Sequence, residues 1–443
     1  MGKFKRPNRP AIISLSVITL VLAATVYIFV ALNRDATPAN AGPPPSPSLP
    51  AATTAPAVNT QDFASTPPAS TCSHTVSLQK VTGAWIAGYN DDKQATSPIP
   101  ADAGQFGLLD FDWLQVSTPE TFVPGDSFED SLSTVLSDAA QANPCSLRFV
   151  TINDLNTPKR VMAEILTEPS VMNEHVAAVA QEMADLPDAT GLTMDYEFSL
   201  PTDPSDLAMY AQVGGWHNLT FDQEVNQATL DYTRLVQMLA AAMHHQHRLF
   251  RVAALVRNND IVDSEQDNVA PYLFDYGQLA RYADQLVLEA IDFHYSTGSP
   301  GPIAPISDVM QVANYVRSYG MPLSKLDIEV PDYSYDWPVT ASGANETSNG
   351  QVDPAQQLTP TGLATEMNTG TWRKVATQDG ETEYTYTKTT SSGNNALHIV
   401  WDSATGIAYE KAQLAKQLPG ASITIWQIGN NDPVGSALAA QVK

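Results

Sequence analysis

Cysteine is nearly absent: Cys72 and Cys145 are the only two in 443 residues. That is too few for a thiolate metal centre. Basic side chains are scarce as well, with 23 Lys and Arg against 48 Asp and Glu, and five of the basic residues precede Asp35. A surface this acidic repels nucleic acid, whose binding needs cations to neutralise phosphate, and it disfavours anionic membrane surfaces and polyanionic wall polymers. A neutral polymer is the compatible partner. Also missing are a glycine-rich phosphate loop, a Ser-His-Asp order and a cysteine-based nucleophile. His244-His-Gln-His247 falls at the end of a helical pattern, where cationic histidine complements the dipole, and no acids complete a ligand set. No metal and no cofactor is therefore expected.

What the chain does have begins with an uncharged run of 22 residues, Ala11 to Leu32, behind Lys3, Lys5, Arg6 and Arg9. As a helix it would be about 33 Å long, enough to cross a hydrocarbon core of roughly 30 Å. The preceding positive charge (residues 1–10) places the N-terminus in the cytoplasm and the remainder outside the cell membrane. Residues 11–32 are thus expected to be a single-pass signal-anchor. The alternative is a cleaved signal peptide ending near Ala41, in Ala39-Asn-Ala41, although the run exceeds the usual apolar core of such peptides. Residues 33–75 are rich in Pro, Ala, Thr and Ser without apolar periodicity, the composition of a semi-extended linker. Both cysteines fall in the exported part, so a Cys72–Cys145 disulfide is expected.

Beyond the linker, strand-like and helical runs alternate. Eight runs read as strands: Val81–Ala87, Leu108–Val116, Leu147–Asn153, Leu192–Phe198, Phe250–Leu255, Leu286–His294, Lys325–Val330 and Ser422–Ile428. Several read as near-continuous apolar runs, as parallel strands covered on both faces should. The pattern predicts an α/β fold, a (β/α)8 TIM barrel over residues 76–440 with its site at the C-terminal strand ends. Two stretches break the rhythm. Leu200–Gln227 is expected to be a long loop in the cleft wall. Residues 340–395 should form a small α+β insertion between strands 7 and 8, with Glu383–Lys388 as an antiparallel strand.

The chemistry concentrates in Thr190-Gly-Leu-Thr-Met-Asp-Tyr-Glu197. On a strand, Thr193, Asp195 and Glu197 share one face and Leu192, Met194 and Tyr196 the other. Two acids side by side raise each other's pKa, which lets one stay protonated beside a charged neighbour. Glycoside hydrolysis requires that division of labour. Trp85, Trp337 and Trp426 lie near strand ends, where rings can stack on sugars; Trp113 and Trp401 suit the core.

The octapeptide resembles the D-G-x-D-x-D-x-E strand of glycoside hydrolase family 18, the chitinase family, with Thr190 and Thr193 in place of its first two acids. Asp292 and His294 stand where the family has M-x-Y-D on its sixth strand, with Ile291 for the Tyr. Pro300–Pro305, Glu329–Pro338, Ala396–Trp401 and Ile423–Gly429 are similar to segments of the spore-cortex-lytic, germination N-acetylglucosaminidase branch. The resemblance spans residues 78–435 and implies a hydrolase of β-linked N-acetylhexosamine glycans, either peptidoglycan or chitin-type oligosaccharides. The resemblance also implies a retaining mechanism in which the substrate's acetamido group attacks C1. It further implies that Glu197 is the general acid and Asp195 orients the acetamido group. Trp426 would floor the pocket, with Asp292, His294, Tyr333, Tyr335, Trp337, Trp85 and Tyr196 as further substrate contacts. A catalytically weak glycan-binding protein of the envelope is the alternative. The expected state is a monomer.

Overall fold

A computed structural model describes residues 78–87, 104, 106–125, 131–258, 269–348, 351–368, 371–389 and 395–428. The expected tail, anchor and linker, with Cys72, lie outside these. Among the described residues no helix is long and apolar enough to cross a membrane.

Eight parallel strands form the frame: β1 (Thr82–Ala87), β2 (Leu108–Thr118), β3 (Leu147–Asn153), β4 (Gly191–Asp195), β5 (Leu249–Ala254), β6 (Gln285–Leu288), β7 (Leu326–Pro331) and β8 (Ser422–Trp426). Each pairs with the next, and β8 pairs with β1, so the sheet closes into a (β/α)8 barrel. All eight strands fall where the apolar runs predict them. Helices α1 (Leu132–Ala142), α2 (Lys159–Thr167), α3 (Pro169–Ala184), α4 (Pro204–Val213), α5 (Phe221–His245), α6 (Tyr276–Tyr282) and α7 (Ile306–Ser318) lie among the first seven strands.

Strand alternation divides the barrel into two environments. Val150, Ile152, Leu192, Met194, Val252 and Leu286 face outward into one large core with the helices. Many of their neighbours on the other face, among them Thr151, Asn153, Thr193, Asp195, Arg251 and Gln285, are polar and buried inside the barrel. Strand β4 can pass close to its neighbours only because of Gly191. A Cβ there would lie 2.4 Å from the Phe149 ring and 2.7 Å from the Leu249 carbonyl oxygen.

Three expectations need correction. Leu200–Gln227 is not a bare loop: it contains α4 and the first turns of α5, and α4 packs against α2 and α5 on the barrel's flank. The Asp203 side chain caps α4 by accepting from the backbone N–H of Ser205 and Asp206, a start signal the loop reading overlooked. Trp216, within this stretch, is half-buried against the main core. The sixth strand ends at Leu288 instead of running to His294. The insertion is larger than residues 340–395. Its five-stranded antiparallel sheet joins Gln356–Leu358, Ser334–Val339, Asn395–Asp402, Glu381–Thr389 and Arg373–Gln378, beside α8 (Pro360–Met367). Glu383–Lys388 is antiparallel strand as expected. Helix α9 (Ile407–Gln417) then leads back to β8.

Candidate active site

The floor of the site is a buried polar layer. Asp110 on β2 accepts from Thr151 (2.6 Å), Thr193 (2.5 Å) and Arg251 (2.8 Å). Arg251 on β5 also donates to Asp327 on β7, which accepts from Thr424 on β8 at 2.5 Å. One guanidinium thus ties opposite walls together, and both of its ion pairs are fully buried. Burial nevertheless pushes Asp327 up to about 6, against the opposing pull of Arg251.

Above this layer stand the acids. Asp195 ends β4, and Glu197 follows in the next turn on the same face. Glu289 follows β6, and the three carboxylates bring oxygens within 4.8 Å of one another. Asp112 and Glu329 are buried close by, Asp112 accepting from the Asn153 amide at 2.7 Å. Burial, then the charges of Glu197, Asp112, Asp154 and Glu329, hold Asp195 well above the usual carboxylate range. Glu197 is raised by burial first and then by Glu289. Three oxygens fall short of the six to eight that calcium takes. Shared protons are the simpler way to accommodate so much buried acid.

Asp154, just after β3, sets the position of Glu197. Its carboxylate accepts from the backbone N–H groups of Glu197 (3.0 Å), Phe198 (2.9 Å) and Ser199 (2.9 Å). The turn that leaves β4 is therefore held by one fully buried side chain. Asp195 Oδ1 and Glu197 Oε2 are buried with no hydrogen-bond partner. Such orphaned acceptors are costly in a merely structural setting.

The other expected contacts separate into groups. Asp292 adopts φ +55° and accepts from the hydroxyls of Tyr333 and of Tyr335, the latter at 3.1 Å. Burial raises it to about 6 despite those two donors. His294 accompanies this loop, its Nδ1 2.9 Å from the Ser299 carbonyl, and its ring lies where a Cβ on Gly301 would be. Trp426 is half-buried and meets Trp85 edge-on, with ring centroids 5.4 Å apart. Trp85 is itself buried, and Trp337 is fully buried in a second core with Tyr333, Tyr335 and Trp401, so neither presents an open ring face. Tyr196, expected to contact substrate, points the other way. Strand alternation turns it outward, and its hydroxyl lies 2.7 Å from His175 Nε2 on α3. Trp113 and Trp401 are buried, as expected of core residues. His244 pairs with Asp284 at 2.9 Å. Cys145 is half-buried in the turn before β3.

The sequence reading passed over Asp110, Asp112, Asp154, Glu289, Asp327, Glu329 and Arg251. A signal was available. Asp110/Asp112 and Asp327/Glu329 repeat the i, i+2 acid spacing of Asp195/Glu197 inside apolar strands, and Glu289 interrupts an apolar run at a strand end.

The sequence model of the family described as Glycosyl hydrolases family 18 matches residues 166–431, more than half of the chain. The cortical fragment-lytic enzyme of Bacillus subtilis (strain 168) is 29% identical over 161 residues, covering 36% of this chain and 34% of that protein. The chain spans 34 to 57% of the length of the curated relatives it matches. Among solved structures, the Bacillus cereus spore cortex-lytic enzyme SleL superposes with a TM-score of 0.59 at 17% identity, over 83% of this chain and 75% of that one. A chitinase from Chromobacterium violaceum gives 0.61 at 16% identity, over 82% and 98%. With a closed barrel, paired acids at the end of its fourth strand and a family match over most of that barrel, the chain belongs to glycosyl hydrolases family 18.

Proposed function

We propose that this chain is an exported, membrane-tethered glycosidase that cleaves β-linked N-acetylhexosamine glycans, with peptidoglycan as its substrate. One observation carries the reading: Asp195 and Glu197 stand together at the barrel's C-terminal mouth, each with a buried oxygen that has no partner. A substrate's acetamido N–H and glycosidic oxygen are the groups that would complete them.

Glu197, kept protonated by burial and by Glu289, donates its proton to the glycosidic oxygen. The substrate's own acetamido oxygen then bonds C1 as the leaving sugar departs. Asp195 orients the acetamido nitrogen and stabilises the positive charge that develops on the ring. Water next attacks C1, passes a proton to Glu197 and releases the product with retained configuration. Asp292, clasped by Tyr333 and Tyr335, supplies a polar contact near the departing half of the glycan, and Trp426 supplies a stacking face.

The peptidoglycan assignment draws on the cortical fragment-lytic relative, and the tether on the uncharged run at 11–32. Residues 33–75 hold the barrel away from the membrane, and a Cys72–Cys145 disulfide joins the domain's start to the turn before β3. Purified wall and soluble chitooligosaccharides should be digested with the protein and the new reducing ends identified by mass spectrometry. Release of N-acetylhexosamine ends from the wall is expected; release from neither substrate would sink the enzymatic reading.

A second reading, a glycan-binding protein with little activity, is favoured by Thr193 and Ile291, which lack the acid and hydroxyl of the family pattern. In that case Glu197→Gln leaves glycan affinity unchanged and no reaction is lost.

A further inference from the structure

Position 193 in this chain cannot serve as a proton partner for the catalytic pair, because its hydroxyl is committed to Asp110. The structure offers a different group. Glu289 enters the site from the far side of β5, carried by the end of β6, and is buried with 8% of its surface exposed. Its carboxylate falls in the same 4.8 Å cluster as Asp195 and Glu197. A strand-end glutamate that ran outward would join the apolar layer under the helices, as Leu288 and Ala290 do. Glu289 turns inward between them.

We infer that Glu289 is the positioning partner of Glu197: the two carboxyl groups share one proton in the resting site, donated by Glu197 and accepted by Glu289. This role rests on the glycosidase reading above and deepens it. When Glu197 gives its proton to the glycosidic oxygen, it becomes an anion facing the Glu289 anion. That repulsion raises its basicity, so it readily takes a proton from the attacking water. The shared hydrogen bond then reforms. Glu289 keeps its charge throughout and never touches the substrate.

The surroundings support this assignment of the proton. Facing the pair are Asp112 from β2, Asp154 from the turn after β3, Asp195 from β4 and Glu329 from β7, with Tyr232 of α5 behind them. Asp292 lies beyond Glu329, on the loop after β6. The buried cation in this part of the barrel, Arg251, is already held between Asp110 and Asp327 one layer below. With so little positive charge in reach, the upper acids are accommodated by holding protons between them, not by ionising together. Glu197 and Glu289 are both pushed well above the usual carboxylate range, each by burial first and then by neighbouring acids. Their oxygens fall in one 4.8 Å cluster, so the pair holds a proton between them. Glu197, which ends the catalytic turn facing the substrate side, is assigned as its donor.

The test is Glu289→Gln in the full chain, read in two ways. Carboxyl-labelled NMR should show Glu197 titrating about one to two pH units lower than in the unaltered protein. The alkaline limb of the kcat/KM profile on chitooligosaccharide should move down by the same amount. Glu289→Asp keeps the charge and should restore most of the shift, and it serves if Glu289→Gln does not fold. A titration and limb that stay in place while activity falls would overturn the inference and make Glu289 merely structural. If the unaltered protein cleaves nothing yet Glu197 shifts on titration, the glycosidase reading fails and the proton pair stands.

Discussion

Thr193 donates its hydroxyl to the carboxylate of Asp110 across the barrel interior, 2.5 Å away and fully buried. The family pattern places an acid at this position, beside Asp195. Here the position belongs to the layer beneath the acids, where Asp110 also binds Thr151 and Arg251. The departure from the motif is therefore matched by a partner on another strand.

Thr193→Asp should destabilise the protein, because a second carboxyl would be forced against buried Asp110 with Arg251 already engaged twice. An uncompensated buried charge costs about 3–5 kcal/mol. Urea unfolding should show a lower midpoint, deepening as pH rises and both acids ionise. An unchanged midpoint would mean the inner layer tolerates charge as the outer surface does.

Glu197→Gln should reduce kcat by about 10²–10⁴-fold, the usual contribution of a general acid–base group. Asp195→Asn should cost less, since it orients and stabilises without moving a proton. Steady-state kinetics on one chitooligosaccharide series decides the order, and the reverse ranking would reassign the two roles.

Asp154→Ala removes the acceptor for three backbone N–H groups in the turn that carries Glu197. Each buried donor left unpaired costs about 1–3 kcal/mol. Asp154→Asn retains one acceptor oxygen and should be the milder change. Thermal unfolding together with kcat separates the two. Equal effects of Ala and Asn would show that the charge of Asp154, and not its hydrogen bonds, matters.

Stability should fall between about pH 6.5 and 8. Glu381 is raised to about 8 by burial, and Glu329 and Glu410 are raised in the same direction. In that window the folded state binds more protons than the unfolded one, so rising pH favours unfolding. Asp154, Asp292 and Asp327, each raised to about 6, act likewise but at lower pH. His175, lowered to about 4 by burial, opposes them only below its ordinary value near 6.5, where the folded state binds fewer protons. Glu381 alone should contribute about 2 kcal/mol across the window. A Tm that rises from pH 6.5 to 8 would contradict this arrangement of protons.

Strand positions were legible because segments buried on both faces are rich in apolar and β-branched residues, as in Leu147–Asn153, which matches β3 at both ends. Local sequence also sufficed to put Asp195 and Glu197 on one face, since period-two alternation is a property of the strand itself. The same rule, applied consistently, turns Tyr196 outward toward His175. Helix α4 was less legible. Its Pro204 and capping Asp203 lie directly after the catalytic turn, where a loop is the ordinary expectation.

The sequence by itself determined the alternation of strands and helices, the paired acids and the strongly acidic balance, because each follows from residue type and spacing along one segment. Only the tertiary structure decided which acids share the site. Asp110, Asp154, Glu289 and Glu329 come from four different barrel strands or the turns that follow them, and closure of β8 onto β1 is what turns their inward faces toward one another. Their protonation follows from that convergence. Burial and mutual repulsion depend on distances across the barrel, which no local spacing contains.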